Sequence, residues 1–381
     1  MLNQVSYLWN QPRLPRLYQT AISLHGHTHY SKESLAFIPG FACRRPLLRW
    51  LLAQQERQCA IPPDFSRAYW TPPMTPRAAY EVERQQIEEE LGLASIVSLT
   101  DHDNIEAPQL LQVLPQSPRI PVSVEWSVPF GTTLVHLGVH NLPKTSAQTL
   151  LQRLAACTRE PRQDTVSDLL AMLNSIPDVL IVFNHPMWDL KNAGKASHRS
   201  SVEHFLSRNN EFLHAFELGG LRGWKENQEV VELAHAWKQP VIAGGDRHGA
   251  EPSANLNLTN ASSFAEFAEE VRRDRRAHVL FMPPYQSSLV SRMLQTVCDV
   301  IREYPGHPLG RTWDQRVFHP DANGVMQPLA ALWRRPPAFI EAIFALFRLH
   351  EISLVSRLAL AVGRSRGAFR LPPLGEGGEA A

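Results

Sequence analysis

TAISLHGHTHYS, residues 20–31, is the stretch on which the reading of the whole chain turns. A short apolar run with the branched composition of a buried strand passes directly into three histidines at alternate positions, His25, His27 and His29. In His25-Gly26-His27 the imidazoles are two residues apart, so on extended backbone both point to one side and can grip one ion. Gly26 leaves room there for the metal or a substrate. The same kind of run recurs as ASIVSLTDHD (94–103), IPVSVEWS (120–127), TTLVHLGVH (132–140), VLIVFNHP (179–186), AFELGG (215–220) and PVIAGGDRHG (240–249). Helix-like segments at 145–157, 163–175, 200–214 and 226–237 lie between them. Strands alternating with helices predict a parallel sheet, and seven such units predict closure into a barrel. The run at 132–140 has the alternative of pairing directly with the run before it, because a short turn separates the two.

Each run ends in, or just beyond, a potential metal ligand: His25, His27 and His29; Asp101, His102 and Asp103; Glu125; His136 and His140; His185; Glu217; Asp246 and His248. Eight of the 16 histidines fall there, which makes chance scatter a poor account of them. In a parallel barrel the strand C-termini converge on one face, so ligands distant in sequence meet. Imidazole nitrogens and carboxylate oxygens suit Zn²⁺, Mn²⁺ or Fe²⁺. A lone H-x-H or D-x-H is a weak signal. Their joint occurrence at the first and last strand ends, with TDHD, a Glu and N-H-P between, is a strong one.

Over about residues 20–284 this ordered set resembles the polymerase and histidinol phosphatase (PHP) family of metal-dependent phosphoesterases. HGHTHYS is similar to the family's opening H-x-H-T-x-x-S, LTDHD to its second motif, IVFNHP to its strand-end His-Pro, and GGDRHG to its closing G-x-D-x-H. The resemblance implies a distorted seven-stranded barrel holding two or three divalent ions (Zn, Mn or Fe). By position, it implies that His25, His27 and Asp246 hold the first ion. Glu125 would bridge it to a second ion on His136 and His185, and His102 and His248 would hold a third. Many members carry an acidic or histidine ligand shortly after the opening motif, where this chain has Lys32. Glu33 or Asp103 substitutes there, or the third site is weak, or Lys32 binds substrate phosphate. Unit charges 4 Å apart repel by about 4 kcal/mol at an effective dielectric of 20, so a lysine beside the third ion predicts two tightly bound metals.

The remaining candidates carry weaker signals. Asp246 is the expected base, and His140, beyond His136, the expected acid for a leaving group. Arg222 and Arg247 follow strand ends, where a substrate phosphate would sit, and with Lys32 they form the expected substrate-binding set. Asp101 and Asp103 are expected to orient His102, and Glu217 either to support the site from behind or merely to pair with a cation. Trp126, Trp188 and Trp224 are expected to pack rather than to line the mouth.

The sequence places the hydrolase barrel at 15–284, with an insertion at 33–90, and a helical C-terminal extension at 285–381. The insertion holds seven prolines together with Trp50, Tyr69, Trp70 and Tyr80, which is not a linker composition. It reads as a helix near 45–57, a proline-rich turn region and a helix at 76–92, forming a wall or lid of the substrate pocket. The extension carries an apolar segment at 338–362, read as a helix packed on the barrel or on a second copy, and ends in a disordered tail, GEGGEAA. The fold class is therefore α/β, a distorted (β/α)7 barrel with an insertion after the first strand and a helical extension.

The 381 residues carry 38 Lys+Arg against 37 Asp+Glu, a balance that argues against a general nucleic-acid binder. Cys43, Cys59, Cys157 and Cys298 have no metal-type spacing and suggest reduced thiols in a cytoplasmic protein. No run reaches the length of a transmembrane helix. The expected activity is hydrolysis of a phosphoester, in a small phosphorylated substrate, a nucleotide or an oligonucleotide end, by a metal-bridged hydroxide. The alternatives are hydrolysis of an amide or non-phosphate ester on the same ligands, and a non-catalytic regulatory or assembly module.

Overall fold

A computed structural model describes residues 2–43, 46, 49, 50, 53, 64–115, 120–333, 340 and 345. All seven predicted runs carry strands: β2 (Thr20–Leu24), β5 (Ala94–Ser98), β6 (Val124–Phe130), β7 (Thr133–His140), β8 (Leu180–Asn184), β9 (Ala215–Gly219) and β10 (Val241–Gly244). Every residue of β2, β8, β9 and β10 is buried, which explains their continuous apolar character. Helices Ala147–Arg159, Gln163–Asn174, Lys195–Asn209 and Trp224–Ala236 lie between the later strands.

The sheets are mixed, not parallel throughout. One has the order β10-β9-β8-β7-β6, with β7 antiparallel to both neighbours. The link from Phe130 to Thr133 is too short for the crossover of a dozen or more residues that a parallel pair requires, so β6 and β7 form a hairpin. The other has the order β1-β12-β11-β2-β5, adding β1 (Leu2–Tyr7), β11 (Asn255–Thr259) and β12 (Arg276–Phe281). The expected closed barrel does not appear as one continuous ladder. The two sheets touch through single parallel bridges at their rims, Gly26 with Arg247 and His102 with Glu125. Those bridges lie at the ligand-bearing strand ends, so the seams meet where the site is built.

The insertion and the C-terminal region are joined. Strands β3 (Glu33–Ser34) and β4 (Tyr69–Trp70) form a third sheet with β13 (Val317–Pro320) and β14 (Met326–Pro328), in the order β14-β13-β4-β3. The region after 285 is thus not wholly helical. It holds the helix Leu289–Ile301 and then these two strands. The helix expected at 76–92 starts at Pro76, capped by Thr75, and its last turn widens over Gln86–Leu91 before stopping at Gly92, whose φ of 67° favours glycine. Most of the helix expected at 45–57, nearly all of the segment at 338–362 and the tail fall outside the described residues. Cys157 and Cys298 are buried thiols. Among the described residues, no helix is long and apolar enough to cross a membrane.

One buried ionic knot ties the insertion to both strand ends. Glu83, on the helix Pro76–Gln85, accepts from Arg247 Nε at 2.8 Å, from Ser23 Oγ at 2.8 Å and from the Ser253 amide at 3.1 Å. Arg247 lies under Gly26 and also donates to the Gly249 carbonyl. Removing Glu83 would leave a guanidinium buried without its counter-ion, a change that costs about 3–5 kcal/mol. Glu83→Ala is therefore expected to lower the unfolding free energy by about that much in urea titration, while the folded variant keeps wild-type metal content.

Candidate metal centre

Glu125 sits at the middle of the site, fully buried, with its two oxygens facing different histidines. Oε2 lies 3.0 Å from His25 Nε2, 3.4 Å from His27 Nε2 and 3.3 Å from His102 Nδ1. Oε1 lies 3.3 Å from His136 Nδ1, 3.2 Å from His185 Nε2 and 3.0 Å from Asn184 Nδ2. Asp246 adds Oδ1 at 3.6 Å from Nε2 of both His25 and His27, and 3.5 Å from His248 Nδ1. Ligand atoms about 2.1 Å from a shared ion lie about 3.0–3.4 Å apart in octahedral or tetrahedral arrangement, which is close to the spacing found here.

The unpartnered atoms point the same way. His25 Nε2, His27 Nε2, His102 Nδ1, His136 Nδ1 and Glu125 Oε2 are all buried without a hydrogen-bond partner. Buried polar atoms left unpaired are costly, and a set of them facing one small volume is what divalent ions would satisfy. Four groups of ligand atoms come together: His25, His27 and Glu125; His25, His185 and Asp246; His102, Glu125 and His136; and His27, Glu33, His102 and His248. The residues present therefore fit metal ions. The grouping differs from the one implied by the resemblance, since His136 joins His102, while His185 joins Asp246.

Local backbone sets these side chains. His25, His185 and Asp246 have φ values of 65°, 29° and 49°, in the left-handed region that side chains other than glycine rarely adopt. Each is at a strand end, where the turn sends the side chain back over the mouth. Such positions cost about 1–3 kcal/mol each, and they persist only when surrounding contacts hold them. For His25 the hold is Glu217, whose Oε2 lies 2.6 Å from Nδ1 and so directs Nε2 into the cluster.

Glu33 is the residue that the sequence reading left as one option among several. Backbone alternation puts Ser31 and Glu33 inward and Lys32 outward. Glu33 Oε2 lies 3.1 Å from His248 Nε2 and 3.4 Å from His102 Nε2. Lys32 is exposed, with Nζ over the Tyr69 ring at 5.3 Å, so it neither repels an ion nor reaches a substrate in the mouth. The two-metal expectation built on Lys32 therefore loses its basis.

Three further placements correct expectations. Arg247 is engaged in the Glu83 knot, alternating with Asp246 and His248, although it still borders the cavity that those two residues line. His140 shares a strand face with His136 but lies deeper, bonded through Nδ1 to Ser98 Oγ at 2.8 Å and stacked on Phe264. Burial pushes its pKa down to about 3, so it cannot deliver a proton to a leaving group at the mouth. Asp101 binds the Thr28 amide and hydroxyl, and Asp103 the Ser127 amide, so neither carboxylate bonds to the His102 ring. Arg222 does reach the site: it pairs with Asp246 Oδ2 and stacks on Trp188 at 3.5 Å. Trp126 is core, as expected, and Trp188 instead flanks His185 at the mouth.

The cluster's charges depend on one another. Burial disfavours every ion, yet Glu125 and Glu217 hold His25 well above the usual imidazole range, and Glu125 and Glu33 raise His102 to about 10. Burial works against Glu33, Glu125 and Asp246 too, but the surrounding cations hold all three well below the usual carboxylate range. Burial brings His185 down to about 3, and burial with His248 brings His27 to about 4. Without metal, protons thus supply the positive charge.

No protein-family profile matches the chain, and no curated protein matches it in sequence. Among solved structures, PsfC from Pseudomonas syringae is 15% identical with a TM-score of 0.41, covering 72% of this chain and 95% of that one. An amidohydrolase from Chromobacterium violaceum is 12% identical with a TM-score of 0.35, covering 60% and 87%. A Bifidobacterium adolescentis protein, provisionally described as a metal-dependent phosphoesterase, is 13% identical with a TM-score of 0.31, covering 66% and 95%. Likenesses this distant decide neither fold nor reaction.

Two outcomes follow from the geometry. Glu33→Ala is expected to lower metal content by elemental analysis, whereas Lys32→Ala leaves it unchanged; equal metal content in the two variants would remove Glu33 from the site. Metal must also displace the proton that His102 retains up to about pH 10. Apparent metal affinity should therefore rise with pH and fall on acidification. Calorimetry at neutral pH, in two buffers of different ionisation enthalpy, should show net proton release on binding.

Proposed function

We propose that this chain is a metal-dependent hydrolase of phosphoesters, acting on a small phosphorylated substrate, a nucleotide or an oligonucleotide end. The observation that carries the metal-dependent part is Glu125, a buried carboxylate shared between two sets of imidazoles that mostly lack other partners. On this reading the chain is kin to the PHP phosphoesterases. The two main sheets are then the halves of a distorted barrel spanning 15–284, extended by β1, and the ions are zinc, manganese or iron in a cytoplasmic protein.

Bound divalent ions would supply Lewis acidity and an acidified water. His25, His27, His102, Glu125, His136, His185, Asp246 and His248, together with Glu33, would hold them. Glu217 keeps His25 oriented. Asp246 stays ionised and presents Oδ1 to the cluster as a proton acceptor, while Arg222 fixes Oδ2 and limits its basicity. Arg222, at the rim on Trp188, is the one residue of the expected phosphate-binding set that reaches the ligands.

A second reading has its own observation. Lys32 is turned outward, Arg247 is tied to Glu83 and Arg222 to Asp246, so the cations expected to bind a dianionic phosphate are already engaged. An amide or carboxylic ester needs none. Purified, metal-loaded protein assayed against p-nitrophenyl phosphate, bis-p-nitrophenyl phosphate and an N-acyl amide series separates the two. Phosphoester turnover is expected, together with its loss by about 100-fold or more in Asp246→Ala at unchanged fold. Turnover of the amides alone would transfer the assignment to the second reading.

A further inference from the structure

Glu33 lies on neither main sheet; its carboxylate touches them through Ser31, whose hydroxyl donates to Oε1 at 2.6 Å and accepts from the His102 amide, while its backbone belongs elsewhere. It lies on β3, which pairs through Glu33 with Trp70 and through Ser34 with Tyr69. The other edge of β4 pairs with β13, Trp70 with Val317 and Tyr69 with Phe318. A ladder of three strands thus runs from the outermost ligand to a segment almost 300 residues further along the chain. The outer seam is well made. The Thr71 amide donates to the Arg316 carbonyl at 3.0 Å, the Phe318 ring stacks on Tyr69 at 4.9 Å, and the Asp64 amide donates to His319 Nε2 at 2.7 Å. Arg316 is itself locked, its guanidinium donating to the carbonyls of Val300, Arg302, Gly310 and Arg311. On the inner side, the Trp70 ring lies 5.8 Å from that of His248, a member of the same ligand group as Glu33.

β3 is two residues long and has β4 as its strand partner. A strand that short has little stability of its own, so its place is inherited from what β4 rests on. We propose that strand β13 of the C-terminal region is a positioning element of the metal centre, holding Glu33 and Trp70 through β4 and so setting occupancy of the outer ion group. The inner groups, built on Glu125, His25 and Asp246, have no member on this sheet and meet the outer group only through the shared His27 and His102. This inference rests on Glu33 serving as a metal ligand.

The test compares the full-length wild type with Phe318→Ala/His319→Ala, which loosens the seam without touching a ligand, and with Glu33→Gln as the reference for direct ligand loss. Loss of groups that support metal ligands weakens binding about 10–100-fold. The seam variant should lose the weakest-held ion by about that factor in manganese or zinc titration, should match Glu33→Gln in the ions it retains, and should recover when Tyr replaces Phe318. Wild-type affinity for every ion in a folded seam variant would overturn the proposal, as would equal weakening of all ions. Hydrogen exchange on the wild type needs no variant. Coupling is reciprocal, so saturating metal should slow the amides of Val317–His319 as well as those of Ser31–Ser34. Protection confined to the second set would also overturn it. A wild type that binds no metal at all would instead end the metal-centre reading on which both rest.

Discussion

A carboxylate shared on both sides is the constraint from which the rest of the site follows. Glu125 is fully buried, and each of its oxygens is approached by imidazoles from different strands. An ionised carboxylate in such a place survives only when surrounded by positive charge, whether from protons or from metal. Four other strands, β2, β5, β7 and β8, must therefore be brought within one side-chain length of Glu125. The bridges between His102 and Glu125 and between Gly26 and Arg247 lie at that rim. The meeting of the two sheets and the assembly of the ligands are one event.

The polar interior also has a cost gradient. Near the mouth, the unpartnered nitrogens of His25, His27, His102 and His136 carry an unfavourable energy that a bound ion would relieve. One layer deeper, His140 is satisfied by Ser98, whose hydroxyl also donates to Ser123. The contrast between orphaned and satisfied histidines, more than their number, separates the site from its support.

How much of this is legible in the sequence depends on what each periodicity encodes. A period of two identifies a strand face, so the pairs His25 with His27 and Asp246 with His248 can be read directly. The same rule places Arg247 on the opposite face from its neighbours, a signal that its position after a strand end obscures. It also places Lys32 opposite Glu33, but only once residues 31–34 are known to be extended. Periodicity says nothing about depth, which is why His136 and His140 look alike in sequence and differ in role. Strands β1 (LNQVSY) and β11 (NLNLT) escape notice because their polar residues break the apolar run. Asn257, buried on β11, donates to the Ala243 carbonyl and so serves packing that composition cannot reveal. The pairing of β4 with β13 is a long-range choice with no local signature at all.

Strand β1 has a consequence for how the chain acquires its fold. Leu2–Tyr7 precedes its partner, Arg276–Phe281, by about 270 residues, and the two pair in parallel register. Closing a loop of that length costs about 5 kcal/mol by the (3/2)RT ln n relation. During synthesis β1 emerges with an unpaired edge and must wait for β12 before it can dock. Until β12 is made, that edge is open to strand-addition by neighbours. A strand of six residues interrupted by polar Gln4 and Ser6 is a poorer template for such addition than a long apolar one.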